Sequence, residues 1–434
     1  MDTLQRLKVG IDIGRNKADY AFLHPEGHPL EIHRSFSNSP MGKKQAKQLL
    51  IKTLEKHHFS GVDIAVEATG YYWLPLFIQL QQDRDLARFE PRLSVLNAGW
   101  VKWYKKSFPP DHKSDQRDPF YIADRLRTLP YPTWWSYDPH WLSLRFFTRL
   151  RFHLSRNLSR EKNHYHLFLF LLHSGYSSKN PFSDIFSRIN QSLLHTPDLL
   201  ERLQDLSLDE LALQLDETSQ HRLKDPVESA RRLQLALQES FSLPKDLETP
   251  IQKALNCLNE VIQHLQQQIQ NIDREIALLV LNNYPEVAWL DSIPGIGPVF
   301  SSGIAAEIGN LKRFSERLRW DKKRKCYRHR SAREVEDAIA KYAGLWWPEN
   351  ASGNFSAEDR PMSKRGNAYL RYFILQAADR MRLFIPSYSQ YYSKKFSQAT
   401  KHQHKRALVL TGRKALGLFV GLLHHHEFYQ PKEV

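Results

Sequence analysis

The sequence predicts an α/β domain at the N-terminus, a long helical region after it and a mainly α-helical C-terminal domain. Short strands separated by helical patterns fill residues 1–138, which is typical of an α/β sheet. Leucine and isoleucine then recur in four heptads between residues 255 and 279, a pattern that predicts a coiled coil. Helical patterns flank a glycine-rich turn after residue 285. We therefore expect three domains, over residues 1–138, 139–285 and 286–434.

The N-terminal domain is predicted from hydrophobic alternation. In the first stretch, LKVGIDIG, apolar residues alternate with Lys8, Gly10 and Asp12, which is the period of a buried strand. A second β-rich run ends in turn residues at 24–27, so a hairpin is expected there. The predicted strands lie near residues 7–14, 18–24, 30–36, 62–68 and 93–96, and the predicted helices near 41–57, 73–83 and 117–128.

The composition favours a nucleic-acid partner. The 434 residues include 62 Lys+Arg and 47 Asp+Glu, which gives a net charge of +15 and a pI near 9.6, a balance that suits a polyanion. No run of 18 or more apolar residues occurs, and the N-terminus lacks an apolar signal core, so we expect a cytosolic protein without a membrane span. The two cysteines, Cys257 and Cys326, are far apart, which argues against a disulfide framework and a zinc site.

Four acidic residues stand where a metal centre would form. Asp12 and Glu67 lie near the ends of two predicted strands, and Asp115 and Asp118 lie three residues apart at the start of a predicted helix. An i, i+3 pair shares one helix face, where like charges repel unless a cation lies between them. Carboxylate oxygens suit Mg²⁺ or Mn²⁺, and two such ions support phosphoryl transfer. The alternative for Asp12 is a solvated residue at a sheet edge.

Residues 98–106 mix basic and aromatic side chains between the last predicted strand and the acid pair. Such mixing suits stacking on bases and pairing with phosphates. The alternative is a helix that packs both tryptophans into the core. The candidate nucleic-acid contacts here are Trp100, Lys102, Trp103, Lys105 and Lys106.

The partner of the predicted coiled coil is undecided. Leu or Ile at both core positions of each heptad predicts a coiled coil. Its function would be limited to spacing and oligomerisation. The partner is either the helical segment 141–176 of the same chain or a second protomer, and the sequence leaves both open. The core residues are Leu255, Leu258, Ile262, Leu265, Ile269, Ile272, Ile276 and Leu279.

The turn IPGIGP at residues 293–298 is typical of a helix-hairpin-helix element. Gly295 and Gly297 would let backbone N–H groups approach a DNA phosphate, and the next helix adds its dipole; the alternative is a plain turn between two helices. From Lys312 to Arg333 the chain carries eleven Lys or Arg and two acids, which favours phosphate contact over a solvated loop. The candidates in that stretch are Lys322, Lys323, Arg324 and Lys325.

A second chemical centre is predicted in residues 341–371. A lone serine before glycine means nothing by itself, but Ser352 is followed within thirteen residues by basic groups suited to a scissile phosphate. No adjacent His or Asp forms a triad, so activation of Ser352 would have to come from elsewhere, such as the metal cluster. The basic candidates are Arg360, Lys364 and Arg365 within that distance, and Arg371 farther along the chain.

Six motifs occur together in one order, namely GIDIG, VEATG, KSDQRD, IPGIGP, AGLWWP followed by SG, and SKRGNAYLR. In this combination the chain resembles the DEDD-type transposases of insertion sequences, the bridge-RNA-guided recombinases. The resemblance covers nearly the whole chain. It implies a RuvC-like, RNase H-type α/β domain, a coiled-coil domain and a helical transposase domain. The basic stretch at about 317–333 departs from the family pattern and looks inserted.

Carried over by motif, the resemblance implies a serine nucleophile, Ser352, beside a centre for Mg²⁺ or Mn²⁺. The implied metal ligands are Asp12, Glu67, Asp115 and Asp118. The implied reaction is recombination of donor and target DNA, directed by a structured RNA and carried out by a homo-oligomer, either a dimer or a tetramer.

Three other functions are alternatives to this one. A RuvC-like junction nuclease would hydrolyse DNA with the four acids alone, and Ser352 would be dispensable. A non-enzymatic nucleic-acid scaffold would keep the basic patches and tolerate loss of the acids. An actin-like ATPase also opens with VGIDIG, but the later glycine-rich adenine-binding turn that it needs is not found in the sequence.

Overall fold

The protein forms two compact units. A computed structural model describes residues 5–108, 115–129, 132–182, 184–196, 199–281, 283–316, 318–321, 325–348, 351–352, 355–356 and 362–431. Unit 1 comprises Met1–Leu142 and Asp337–Ala368, and unit 2 comprises Ser143–Glu336 and Tyr369–Val434.

Strands and helices are interspersed up to α5, and the chain is mainly helical after it. The first elements are β1 Arg6–Ile13, β2 Lys17–Leu23, β3 Pro29–Ser37, α1 Pro40–Lys56, β4 Gly61–Glu67, α2 Leu74–Gln82, α3 Arg84–Ala87, β5 Arg92–Leu96, α4 Ala98–Lys105 and α5 Asp118–Thr128. The next are α6 Pro139–Leu172, α7 Gly175–Lys179, α8 Arg188–His195, α9 Leu199–Gln204, α10 Leu208–Thr218, α11 Pro226–Gln238 and α12 Lys245–Val280. The last are α13 Pro285–Asp291, α14 Pro298–Ile308, α15 Lys312–Ser315, β6 Arg319–Asp321, β7 Cys326–Arg328, α16 Ala332–Ala343, β8 Ala351–Ser352, β9 Phe355–Ser356, α17 Ala368–Phe384, α18 Pro386–Ser397 and α19 Gln403–His425.

Unit 1 is built on a five-stranded mixed sheet with the order β3-β2-β1-β4-β5. The pairs β1–β2 and β2–β3 are antiparallel, and the pairs β1–β4 and β4–β5 are parallel. All five predicted strands and the three predicted helices are found within one residue of their expected ends. The hairpin turn is also confirmed, since the Gly27 N–H donates to the His24 carbonyl oxygen at 2.9 Å. The predicted α/β class of the N-terminal part is therefore confirmed.

The two faces of the central strands have different roles. Val9, Ile11 and Ile64 point into a hydrophobic core that includes side chains of α1 and α2. Because successive side chains in a strand alternate between faces, Gly10 and Ala65 point the other way. Gly10 lies against α5, and Ala65 packs with apolar side chains of α4 and α5. This second face carries the site described below.

In unit 2 the heptad helix packs against α6 of the same chain. Leu255 and Ile262 of α12 are buried in one cluster with Tyr165 of α6. Nε of Arg151 in α6 lies 2.8 Å from Oδ1 of Asp273 in α12. Of the two partners that the sequence left open, the structure therefore provides the one within the chain. A supercoiled pair, as in a coiled coil, stays a prediction.

One described helix, α19, is long and apolar enough to cross a membrane by length and composition. Of its most apolar window, 50% is buried inside the protein, as in the core helix of a folded domain. Leu416 and Phe419 are among its fully buried side chains. The helix is therefore weak evidence for a span.

Candidate active site

Parallel pairing brings two of the predicted acids to the same edge of the sheet. Ile11 of β1 pairs with Val66 of β4. The next residues, Asp12 and Glu67, are therefore neighbours where the two strands end. Both lie on the face of Gly10, because every second residue of a strand shares a face, and both are partly buried.

A glycine lets α5 lie directly on β1. A Cβ atom on Gly10 would lie 2.0 Å from the carbonyl oxygen of Pro119 and 2.4 Å from the backbone nitrogen of Ala123. Real Cβ atoms do not approach other atoms so closely. Asp118 is the first residue of α5. The missing side chain therefore allows the start of α5, with Asp118, to reach the strand end that carries Asp12.

The side chain of Lys105, from α4, lies between two of the acids. Its Nζ is 2.8 Å from Oδ2 of Asp118 and 4.0 Å from Oε2 of Glu67. Burial raises the pKa of Glu67, the Lys105 charge opposes this, and the charges of Asp12 and Asp118 raise the pKa further. The three carboxylates are thus close enough to repel one another, and an ammonium group lies among them.

This donor set fits a divalent cation. It consists of carboxylate oxygens, which Mg²⁺ and Mn²⁺ prefer. The negative charges of Asp12 and Asp118 raise the pKa of Glu67, and the single ammonium of Lys105 opposes them only in part. A divalent cation among the three carboxylates would stabilise their charged forms more than one ammonium does. Asp115 belongs to the single 3₁₀ turn Asp115–Arg117 before α5, and its side chain lies outside the described residues. The structure thus brings Asp12, Glu67 and Asp118 together, and Asp115 stays a prediction.

Sequence reasoning missed a further carboxylate next to this cluster. Asp19 of β2 pairs with Asp12 across the antiparallel ladder, so both side chains lie on the same face. Asp19 is buried and lies 2.9 Å from Nζ of Lys17 and 3.2 Å from Nε2 of His33. Burial alone would raise its pKa, but hydrogen bonds from Ser35 and Lys17 lower it. The sequence signal that could have found it is the short turn at residues 14–16, because the length of a hairpin turn sets which residues of the two strands pair.

The tryptophans of α4 face solvent. Trp100 and Trp103 are each 55% exposed, whereas Val101 is the residue of this helix that is fully buried. The alternative that both tryptophans pack into the core is therefore wrong. The guanidinium of Arg365 lies 4.4 Å from the centre of the Trp103 ring. The other basic candidates of the segment, Lys102 and Lys106, are exposed.

Unit 1 also contains the predicted serine segment. The backbone of Ser352 belongs to β8, which pairs with β9, but its side chain lies outside the described residues, as does all of Arg360. The SKRGN motif, residues 363–367, packs against the end of α16. Gly366 has φ +148°, and a Cβ there would lie 2.4 Å from the Tyr342 carbonyl oxygen. The Asn367 side-chain amide donates to the Tyr342 hydroxyl at 3.0 Å.

Two further basic candidates differ in their surroundings. Lys364 of the SKRGN motif is exposed and has a left-handed backbone with φ +54°. Arg371 lies on α17 of unit 2 and is partly buried, and this burial lowers its pKa. Lys364 is therefore exposed to solvent, whereas Arg371 is partly shielded from it.

The basic stretch forms a short hairpin of β6 and β7, and part of its charge is neutralised internally. Arg328 lies 3.0 Å from a carboxylate oxygen of Asp321 and 2.8 Å from one of Glu334. Lys325 is exposed at the turn, with φ +52°. The other three candidates, Lys322, Lys323 and Arg324, lie outside the described residues. Phosphate contact by this hairpin stays a prediction.

The glycine-rich turn joins two helices, α13 and α14. Gly295 has φ +87°, and a Cβ on it would lie 2.5 Å from the Phe384 ring, so a larger residue does not fit. Gly297 is the N-cap of α14, and nothing lies within 4 Å of its Cβ position. The start of α14 is thus open beside Gly297, although Pro298 has no N–H and the Phe300 N–H donates to the Gly297 carbonyl oxygen at 3.0 Å. The helix-hairpin-helix element and DNA binding there stay predictions.

Two family models match the sequence. A DEDD-type model described as "Transposase" matches residues 9–173, and the model "Transposase IS116/IS110/IS902 family" matches residues 328–393. The first match includes the three acids around Lys105, and the second includes the Ser352 segment and the SKRGN motif. No curated protein matches the chain.

Proposed function

Because the chain belongs to the IS110-type transposase family and is therefore a DNA transposase, we propose that it cuts and rejoins donor and target DNA through a serine nucleophile beside a metal centre. The observation that carries the proposal is the cluster of Asp12, Glu67 and Asp118 around Lys105. It lies on the sheet that the DEDD-type model covers. The RNase H-type, RuvC-like character of this domain is supported by the acids at one edge of a mixed sheet.

The centre would be held by the carboxylates of four residues, Asp12, Glu67, Asp115 and Asp118. The DEDD-type domain indicates that a divalent metal is used, and the oxygen donors favour Mg²⁺ or Mn²⁺. When bound, such ions activate a nucleophile and stabilise a leaving oxygen. The side chains of Glu67 and Asp118 keep 18% and 31% of their exposure, so the position is open to solvent and to a DNA phosphate.

The proposed chemical step conserves the phosphodiester energy. The Ser352 oxygen forms a bond to the scissile phosphorus and loses its proton, while the bond from that phosphorus to the leaving strand oxygen breaks. The leaving oxygen takes up a proton and becomes a free hydroxyl. In rejoining, a hydroxyl of the other strand attacks the phosphoserine, and the serine recovers its proton. A serine hydroxyl is a weak nucleophile unless it is activated, which is why this step needs the acid centre.

DNA is the substrate of a transposase, and several surfaces of this chain would contact it. The exposed rings of Trp100 and Trp103 suit stacking on unpaired bases. Arg365 lies over the Trp103 ring and follows the proposed nucleophile Ser352 by thirteen residues, and its guanidinium suits a phosphate. Gly297 leaves the start of α14 open to a phosphate. Guidance by a structured RNA, and assembly into a dimer or tetramer, rest on the resemblance of the motifs.

The test is a search for a covalent protein–DNA adduct. The protein is incubated with Mg²⁺, with DNA of the element ends and with the structured RNA transcribed from the element's non-coding end. The reaction is then denatured, and the residue that carries DNA is mapped by mass spectrometry. We expect an adduct on Ser352 that is absent in Ser352→Ala and retained in Ser356→Ala, a serine of the paired strand β9. Asp118→Ala should fold normally but form no adduct and cut no DNA.

The outcome that refutes the serine mechanism is cleavage by Ser352→Ala with no adduct in the wild-type reaction. The junction-nuclease function, with the acids alone, would then replace it. Cleavage by Asp118→Ala at the wild-type rate would remove Asp118 from the centre.

A further inference from the structure

A second group of possible metal ligands lies at the turn between β2 and β3, away from the acid centre. One ligand atom from each of His24, Glu26 and His28 lies within 4.8 Å of the others. Along β2, Asp19 pairs with Asp12, and His24 follows five residues later. Five strand residues span roughly 17 Å. The turn is therefore at the opposite end of the strand from the acid centre.

The turn brings these side chains together through its backbone and its neighbours. The His24 N–H donates to the His28 carbonyl oxygen at 3.0 Å. The His24 ring is stacked on the His28 ring at 4.2 Å and contacts the Phe59 ring at 5.5 Å. Gly27 has φ +104°, and the Arg127 side chain packs against it. Two imidazoles and one carboxylate are thus presented together by a tight hairpin.

The chemistry of these ligands differs from that of the acid centre. Two histidines and one carboxylate are the donors of many Zn²⁺ and related transition-metal sites, whereas Mg²⁺ prefers oxygen donors alone. Ligand atoms around tetrahedral zinc are about 3.4 Å apart, since each lies about 2.1 Å from the ion. Nδ1 of His24 is 3.6 Å from a carboxylate oxygen of Glu26 and accepts a hydrogen bond from the Glu26 N–H at 3.3 Å, a bond that a bound ion would replace. Glu26 and His28 are exposed, so their side chains have room to rotate towards an ion, and the His28 ring would then leave its stack on His24.

We propose that the β2–β3 turn is a binding site for a transition-metal ion of the Zn²⁺ class, with His24, Glu26 and His28 as its three protein ligands. Water completes the coordination. The ion links side chains from both sides of the β2–β3 turn and so stabilises this turn. It takes no part in the chemistry at the acid centre. The two sites therefore select different metals in the same chain.

The test uses Co²⁺, whose visible absorption reports its ligands, as the probe in place of Zn²⁺. Metal-stripped full-length protein is titrated with Co²⁺ in excess Mg²⁺, which keeps the acid centre occupied by an oxygen-preferring ion. The three C-terminal histidines would compete, so every sample carries His424→Ala, His425→Ala and His426→Asn. We expect one equivalent of Co²⁺ to give visible bands that one equivalent of Zn²⁺ abolishes.

Single variants assign the ligands. His28→Gln and Glu26→Gln should each weaken Co²⁺ binding at least tenfold, and both should leave the circular dichroism spectrum unchanged because the two side chains are exposed. The matched control is His58→Asn, since His58 is an exposed histidine with φ +52° and asparagine tolerates that backbone. Absence of the bands in the parent protein, or bands that survive His28→Gln unchanged, would overturn the proposal.

Discussion

Replacing Gly10 by alanine should push α5 away from β1 and displace the acid cluster. The added Cβ would start 2.0 Å from the Pro119 carbonyl oxygen, whereas ordinary contact begins at 3.4 Å. The helix or the strand must therefore move by about 1.4 Å, the difference between these two distances. Overpacking of this kind costs ~1–3 kcal/mol of unfolding free energy. A misplacement of about 1 Å at a reacting centre costs on the order of 100-fold in rate.

The assay compares stability and strand cleavage in two glycine variants of the same motif. Gly10→Ala should lower the unfolding free energy in urea by about 2 kcal/mol and cleavage by about 100-fold. Gly14→Ala is the matched control, because the nearest atom to its added Cβ, the Lys17 carbonyl oxygen, lies 3.8 Å away. If Gly10→Ala is as stable and as active as Gly14→Ala, close packing of α5 on β1 does not position Asp118.

Three further predictions concern the acid centre, the sheet and the helical unit. Lys105→Met should raise the affinity for Mn²⁺ about fivefold, because an ammonium worth ~1 kcal/mol no longer competes for the acids; paramagnetic resonance of free Mn²⁺ measures this, and weaker binding would contradict it. Asp63→Asn should lose about 2 kcal/mol of unfolding free energy at neutral pH, since burial raises the pKa of Asp63 but hydrogen bonds from three basic side chains bring it down to about 2. That stability is present above the ordinary pKa of 3.8 and is lost as the pH falls towards 2, so the acid unfolding curves of the two proteins should converge there. Ile262→Asp should lower the melting temperature but leave the mass in solution unchanged, because Ile262 is buried against helices of its own chain; a fall in mass would indicate an intermolecular partner.

The strands of unit 1 were predictable because their signals are local. Period-two alternation and turn residues act within a few positions of each other, and β1 begins and ends within one residue of the prediction. The two strand acids were recognisable for the same reason, since each is the single carboxylate near the end of an apolar run. Asp63 is another strand acid, and its charge is neutralised by Arg6, Lys8 and Arg92. Predicting this requires the register of three strands, which the sequence does not contain.

Side-chain direction in α4 was not predictable from composition. An eight-residue helix with two tryptophans and two lysines shows no pattern that decides which residues face inward. Packing against β4 and α5 decides it, and Val101 alone is fully buried. Burial of Val101 turns Trp100 and Trp103 to solvent. It also leaves Lys105 directed at Asp118 instead of at solvent.

Helix α4 contacts both the acid centre and the segment of residues 341–371, which the sequence predicts as two separate centres. Residues 337–368 belong to one compact unit with residues 1–142, although no local pattern in either segment indicates this. On α4, Trp103 lies under the guanidinium of Arg365, while Lys105, two residues later, pairs with Asp118. A cation–π contact of this kind contributes about 0.5–2 kcal/mol, which is enough to bias the position of the SKRGN motif without fixing it. A base that stacks on Trp103 would replace this weak contact, and we therefore expect base stacking on α4 to release Arg365 and to shift the SKRGN motif.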